Sequence, residues 1–417
     1  MTGPTTAPTA DQLARRPLAG VRVVDLTRAL SGPFASMILG DLGATVVKIE
    51  PAEGGDMTRT WGPFAAGQSA YYLSANRNKR SLALDFRQPE GLAVIRRMVR
   101  ASAVLIENFR PGVADAMGLG YEALRADHPA LVYASISGYG SDGPARDWPG
   151  FDQIAQGHAG LMGLTGSDSP TRVGAAMADM TAGMWAALGV VAALRNSESS
   201  GRGEHVETSL VASLVAMLGV QGQRFLSTGE VPERTGNTHP VIAPYGTFAA
   251  QDGPMNIAPA TERMWRALCV AVGLPGLPDD PRFTSNELRV RHRALVHDTI
   301  EERIRLKPRA EWMETFIAAG IPAGCINRLD EVFADAQVRH CEMVRVVQHP
   351  ELGAIPQMVL PLRFNSLDVQ TPVCAPPLLG EDSLSILRSY GFGADEIDTL
   401  LSRRIVVQHG FQPEEPP

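Results

Sequence analysis

The feature that most constrains this chain is a repeated switch of hydrophobic period, from short β-branched runs to helical spacing and back. Val21–Leu26 (VRVVDL) is such a run, as expected of a strand covered on both faces. A turn follows over Thr27–Gly32. Ser31 and Pro33 then supply the N-cap and first-turn chemistry of a helix through Phe34–Leu42. Gly43 ends that helix, and Thr45–Ile49 reads as a second strand parallel to the first. The unit recurs, with strands over Ser81–Asp85, Val104–Glu107 and Leu131–Ile136 and helices over Pro89–Arg100 and Tyr121–Ala126. Helices over Phe151–Gly163 and Met180–Leu194, a strand near His205–Thr208 and a helix through Leu210–Phe225 complete the series. Strands separated by helices in this way belong to an α/β fold with an open, mostly parallel sheet.

At 417 residues the chain is long for one hydrophobic core. The composition shifts at residues 227–244, which are rich in turn residues and lack periodicity, so this stretch is expected to be a linker. Residues 18–226 then form the first part of a large domain and residues 245–330 a smaller α+β domain. Residues 331–407 return to the large domain. Thr-, Ala- and Pro-rich residues 1–17, without an apolar h-region, read as a disordered tail, as do residues 408–417.

Composition narrows the function. A net charge of −7 and a pI near 5.8 argue against a nucleic-acid partner. No apolar run is long and clean enough to suggest a membrane span. The four cysteines, Cys269, Cys325, Cys341 and Cys374, show no CxxC spacing, and the nine histidines no metal-ligand spacing. Reduced thiols in the cytoplasm and no metal are therefore expected. No GxGxxG follows the first strand, and GxxxxGK[ST] and GxSxG are absent, which disfavours a nicotinamide site, a P-loop and a nucleophile elbow.

Two groups of polar residues stand out. Asp179 is a single carboxylate where an apolar, small-residue helix begins. One reading makes it an N-cap. The other makes it a nucleophile, kept ionised by N–H donors and the helix dipole, with room for a bulky electrophile. The second group lies at the strand ends, where open α/β sheets bind ligands: Asp85-Phe86-Arg87, Asn108-Phe109-Arg110 and Ser137-Gly138-Tyr139-Gly140. Arginine for phosphate, aromatic rings for stacking and glycine for close approach suit a nucleotide-like ligand.

The strings PLAGVRVVDLTRALSGPFASMILGDLGATVVKIEP, NKRSLALDFRQPEG, VLIENFRPG, SISGYGSDGP and PPLLGEDSLSIL resemble the class III CoA-transferases, in order, over nearly the whole chain. That family includes formyl-CoA and carnitine CoA-transferases and the α-methylacyl-CoA racemases. The resemblance implies a Rossmann-like large domain built from both termini, a small domain between, and an interlocked homodimer. It places the family's aspartate on Asp179 and its CoA contacts on Leu84, Arg87, Asn108, Phe109, Arg110, Ser137, Gly138, Tyr139 and Gly140. Leu30, Ser31 and Phe151 fall on the acyl-substrate wall. Leu30 stands where formyl-CoA transferases carry glutamine, which disfavours oxalate and formate. Two basic CoA contacts of that branch correspond to Ala116 and Ser137. Phe151 replaces the racemase histidine, with His158 two helical turns on.

The implied reaction moves CoA from an acyl-CoA to a carboxylic acid through an aspartyl anhydride and an aspartyl-CoA thioester, with no tightly bound cofactor. The implied alternative is an isomerase acting at the α-carbon of a 2-methylacyl-CoA. Backbone N–H groups of Gly140 and Gly246 are candidate oxyanion donors.

Overall fold

The computed structural model describes residues 9–371 and 374–410; the outer parts of both expected tails lie outside the described residues. Two compact units share the chain. One comprises the described residues up to Leu161, Val173–Ser227 and the described residues from His340 onward; the other comprises Met162–Arg172 and Thr228–Arg339.

The first unit is built on six parallel strands: β1 (Arg22–Asp25), β2 (Thr45–Pro51), β3 (Lys79–Leu84), β4 (Val104–Glu107), β5 (Val132–Ser137) and β6 (His205–Ser209). A short strand, β7 (Val406–Val407), pairs antiparallel with β3. The spatial order is β7–β3–β2–β1–β4–β5–β6, so the parallel strands run 3-2-1-4-5-6, the doubly wound arrangement. Alternation along each strand sends Val24, Val47, Leu82 and Leu105 to one face and Val23, Val46, Val104 and Val132 to the other. Both faces are covered, which explains the near-continuous apolar runs.

The helices that matter for the site are α1 (Ser31–Asp41), α2 (Pro89–Arg100), α3 (Asp152–His158), α4 (Met177–Ser200) and α5 (Leu210–Met217). Pro89 starts α2 at its first turn, where its missing N–H costs nothing. The core on α2's face of the sheet also takes in Ile386 and Leu400, while α1 and α4 cover the opposite face. By length and composition α4 could cross a membrane, and half of its most apolar window is buried here. It begins at Met177, three residues before the sequence suggests, and ends where Gly201 turns left-handed at φ 68°. The helix expected over Leu210–Phe225 is two helices, α5 and Gly219–Thr228, bent by 76°. Gly219, at φ 51°, marks the break.

In the second unit a three-stranded antiparallel sheet, with Gly253–Ile257 between Gly246–Ala250 and Ala323–Cys325, packs its Phe248 and Met255 against Trp265, Val296 and Phe316. All of the stretch expected as a linker except Ser227 belongs to this unit. Its irregular backbone is held by side chains: Arg293 donates to the carbonyls of His239, Pro240 and Ile242, and Arg289 to that of Ala243. The unit also runs past residue 330, through a helix (Leu329–Ala334) tied by the Arg309–Glu331 ion pair at 3.1 Å. In the first unit, a hairpin of Val344–His349 and Gly353–Met358 has no counterpart in the sequence reading. Part of the expected N-terminal tail is ordered as a helix (Ala10–Ala14) with a Thr9–Gln12 capping box. Nearby, the buried Arg16 donates to the carbonyls of Asp41 and Thr371.

Beneath the loop leaving β1 lies a set of buried charges. Asp25 accepts from Thr27 N (2.8 Å), Thr27 Oγ1 (2.5 Å), Ser36 Oγ (2.5 Å) and Lys79 Nζ (3.2 Å). Lys79 also donates to the Pro33 carbonyl at 2.9 Å, and Lys48 to the Thr27 carbonyl at 2.9 Å and to Asp56. Burial opposes ionisation of Asp25, but Lys79, Lys48 and the two hydroxyls hold it below the usual carboxylate value. Replacing Lys79 by Met leaves this carboxylate without its direct ion-pair partner. The expected loss of unfolding free energy is about 3–5 kcal/mol, measured by urea denaturation; a loss under about 1 kcal/mol, the range of exposed pairs, would contradict it.

Candidate active site

The strand order reverses between β1 and β4, and beyond their carboxyl ends a crevice is expected. The loops leaving these two strands are latched to each other. Asn108 Oδ1 accepts the Arg28 N–H at 2.8 Å and Asn108 Nδ2 donates to the Arg28 carbonyl at 2.8 Å, the pairing a neighbouring strand would make. The same amide nitrogen lies 3.5 Å from Ser31 Oγ. Ala29 takes a left-handed φ of 63°, and its N–H is held by Asp56 at 3.2 Å. The Arg28 guanidinium lies over the Phe109 ring, 5.3 Å from its centre.

Asp179 sits in the first turn of α4 without being its cap. Ala176 occupies the N-cap position, and the amide of Ala178 is taken by Asp152 Oδ1 of α3 at 2.8 Å. Asp152 Oδ2 in turn accepts from Gln156 at 2.8 Å. Because Asp152 does the capping, the half-buried Asp179 carboxylate is not tied up as a cap, and the Ser31 hydroxyl is near enough to favour its ionised form. Burial and then the negative charge of Asp152 push Asp179 up to about 7, against the Ser31 hydrogen bond. The sequence suggested a carboxylate kept ionised by the helix start; desolvation and a second carboxylate outweigh that dipole.

Beyond the ends of β4, β5 and β6 lies a cavity of about 320 Å³, whose lining includes Phe109, Arg110, Ser137, Tyr139, Gly140 and Arg146. Ser137 Oγ accepts the Gly140 N–H at 2.9 Å, so that amide is engaged in shaping its own loop. Gly138 is glycine because its loop meets another: a methyl group there would lie 3.1 Å from the Gly150 Cα. Tyr139 packs edge-on against Trp148 and His158, at 5.6 Å and 5.0 Å.

The cavity also holds polar groups that the sequence reading passed over. Ser135 Oγ lies 2.9 Å from His205 Nε2, whose ring stacks on Tyr121 at 4.9 Å. Glu107, 7% exposed, accepts the Phe109 N–H at 2.7 Å. Its burial pushes it up to about 7, only partly offset by hydrogen bonds from Ser135 and Phe109. The available signal was polar residues inside runs that otherwise read as buried strand.

Other residues singled out from sequence lie elsewhere. Leu84 is fully buried in the sheet core, and Arg87 is exposed and paired with Asp85 at 2.9 Å; neither lines the cavity. Leu30 is the N-cap of α1, and Phe151, 59% exposed, that of α3. Gly246 begins a strand of the second unit, where a methyl group would lie 2.8 Å from the Asn237 carbonyl. Among the described residues, no three His, Cys, Asp or Glu side chains cluster as a metal site requires.

Comparison with known proteins agrees with this architecture. Residues 18–383 match CoA-transferase family III. The chain is 37% identical over 406 residues to the succinyl-CoA:glutarate CoA-transferase of Homo sapiens, covering 96% of this chain and 92% of that protein. It is 40% identical over 311 residues to the acetyl-CoA:oxalate CoA-transferase of Acetobacter aceti, covering 74% and 80%. Its fold is similar to that of a CAIB/BAIF family protein from Brucella suis, with a TM-score of 0.82 and 37% identity over 90% of this chain and 99% of that one. The chain therefore belongs to CoA-transferase family III. It is an enzyme that moves coenzyme A from an acyl-CoA to a carboxylic acid.

The latch between the loops gives a direct test. Asn108→Ala leaves the Arg28 N–H and carbonyl without their side-chain partner, at a cost of about 0.5–1.5 kcal/mol because both groups can turn to water. Urea unfolding reads that loss, and amide exchange at Arg28 should accelerate. Unchanged stability and exchange would show that the amide does not hold this loop.

Proposed function

We propose that Asp179 is the nucleophile and that the enzyme transfers CoA from succinyl-CoA to a short dicarboxylic acid of the glutarate class. The observation that carries the first part is the position of Asp179: a single carboxylate in the first turn of α4, relieved of capping by Asp152. The substrate pair is that of the human succinyl-CoA:glutarate CoA-transferase, to which this chain is similar over nearly its whole length. Leu30 offers an apolar contact for a methylene chain, which favours glutarate over oxalate.

In the first step an Asp179 oxygen attacks the thioester carbon. The carbon–sulfur bond breaks, and CoA leaves as the thiolate with the electron pair. The thiolate then adds to the side-chain carbonyl of the mixed anhydride, releasing the donor acid as its carboxylate and leaving an aspartyl-CoA thioester. The acceptor carboxylate repeats the two steps in reverse order, regenerating Asp179. Each step exchanges one anionic leaving group for one anionic nucleophile, so no proton has to move and no further cofactor is required. Holding the groups in contact lowers the barrier, with effective molarities of roughly 10⁵–10⁸ M for well-oriented partners.

The nucleotide end of CoA is assigned to the cavity bearing Arg110, Arg146, Phe109 and Tyr139, where guanidinium groups suit phosphates and rings suit the base. A homodimer is part of the same reading. Its support is the apolar surface of α4 and of the Gly219–Thr228 helix, where Met184, Trp185, Leu188, Val220 and Leu226 are exposed in the single chain. The cytoplasm is proposed as the site of action.

Asp179→Ala is expected to lower turnover at least about 10³-fold, as loss of a covalent nucleophile does, while free CoA still binds by calorimetry. A folded variant retaining a tenth of wild-type turnover would overturn the assignment. Because the ionised carboxylate reacts and Asp179 lies near 7, kcat/KM for the acyl-CoA should rise about tenfold per pH unit below 7 and level off above it. An isomerase would exchange the α-proton; 2-methylacyl-CoA in D₂O should show no α-deuteration by NMR at rates approaching turnover.

A further inference from the structure

We infer that Ser31 is a second catalytic residue of the transfer, donating its hydroxyl proton's hydrogen bond to the Asp179 carboxyl group, and that Gly183 is the positioning residue that brings it there. The inference rests on Asp179 being the nucleophile. Asp179 and Gly183 stand four residues apart and so share a face of α4, one turn from each other. The N-terminus of α1 crosses that face. A methyl group at Gly183 would come 2.6 Å from the Ser31 carbonyl oxygen, 3.1 Å from Phe34 Cδ1 and 3.3 Å from the Ala35 nitrogen. Only glycine admits this approach without a shift of α1. Ser31 is 5% exposed, and Asn108 Nδ2 donates to its oxygen at 3.5 Å, which leaves the hydroxyl proton to be given to Asp179.

The chemistry gives the hydroxyl a constant task. When Asp179 is a carboxylate it receives the hydrogen bond. When the CoA thiolate adds to the Asp179 carbonyl carbon, the π electrons move onto that oxygen, and the same donor faces the oxyanion. The electrons return as the acyl carboxylate leaves, and the serine proton stays on its oxygen throughout. The charged group facing Asp179 from α3 is Asp152, whose effect is opposite: it disfavours the ionised nucleophile. Ser31 and Asp152 therefore set the reactivity of Asp179 from two sides.

The test measures the pH profile of kcat/KM and the rate of aspartyl-CoA formation, by intact-protein mass spectrometry after mixing enzyme with succinyl-CoA and no acceptor. Ser31→Ala should form the adduct about 10- to 100-fold more slowly at pH 7, the usual weight of a hydrogen bond to a charged group. It should also move the acidic limb to higher pH and leave free-CoA affinity unchanged. Asp152→Asn should move the limb the other way. Gly183→Ala should reproduce the slow adduct formation with Ser31 intact. Where Ser31→Ala does not fold, Ser31→Cys, a weaker donor of similar size, serves the same purpose. Wild-type adduct rates and an unshifted limb in the Ser31 variants, with Asp179→Ala inactive, would overturn this inference and leave the nucleophile standing. Activity in Asp179→Ala would instead remove the nucleophile and this inference with it.

Discussion

Two lysines with no solvent-exposed side-chain area, Lys48 and Lys79, decide the shape of the site. A buried ammonium group is tolerated only when it is paired and hydrogen-bonded. Here the partners are Asp25 and Asp56, together with the carbonyls of Thr27 and Pro33. Those carbonyls belong to the loop after β1 and to the first turn of α1. Any other path for this loop would strand a charge, so the loop has one path. It carries Ala29 in a left-handed conformation, a strain offset by the bond from its N–H to Asp56. Strands β2 and β3 thus reach under β1 to fix where α1 begins.

Helix packing then sets the surroundings of Asp179. The face of α4 toward α1 is made of small residues, with Ala178, Ala182, Gly183 and Ala186 buried. Small side chains let two backbones approach closely, and the approach puts the first residue of α1 against the carboxylate of α4. The price of that closeness is desolvation of Asp179. A carboxylate near 7 is less fully ionised at neutral pH than an ordinary one, but its ionised form is the stronger nucleophile. The apolar character of α4 therefore serves packing on one side, while its Met184, Trp185 and Leu188 leave the other side exposed.

The cavity beyond β4, β5 and β6 follows a different logic. Sheet interiors are normally apolar on both faces in such folds, yet Glu107, Ser135 and His205 stand together at its wall. A departure from local consistency of this kind is characteristic of functional sites. Its neighbours Tyr121 and Tyr133 pack around the His205 ring, which lies stacked on one and edge-on to the other.

What the sequence determined by itself was periodic and local. The β-branched runs and helical spacings marked β1 to β6 and α2 nearly to their ends, and the single carboxylate in a small-residue run marked Asp179. Resemblance of ordered motifs pointed to the family that the comparisons bear out. What the tertiary structure decided was which polar group each strand-end residue meets. Asn108 holds the backbone of Arg28, 80 positions away. The cap of α4 comes from Asp152, 26 positions from the amide it accepts. The turn-rich stretch before Gly246 is held by Arg289 and Arg293, about 50 positions further on. The physical reason is the same each time. Hydrophobic period records which face of an element is buried, whereas a hydrogen bond or a shifted carboxyl depends on which elements the strand order makes neighbours.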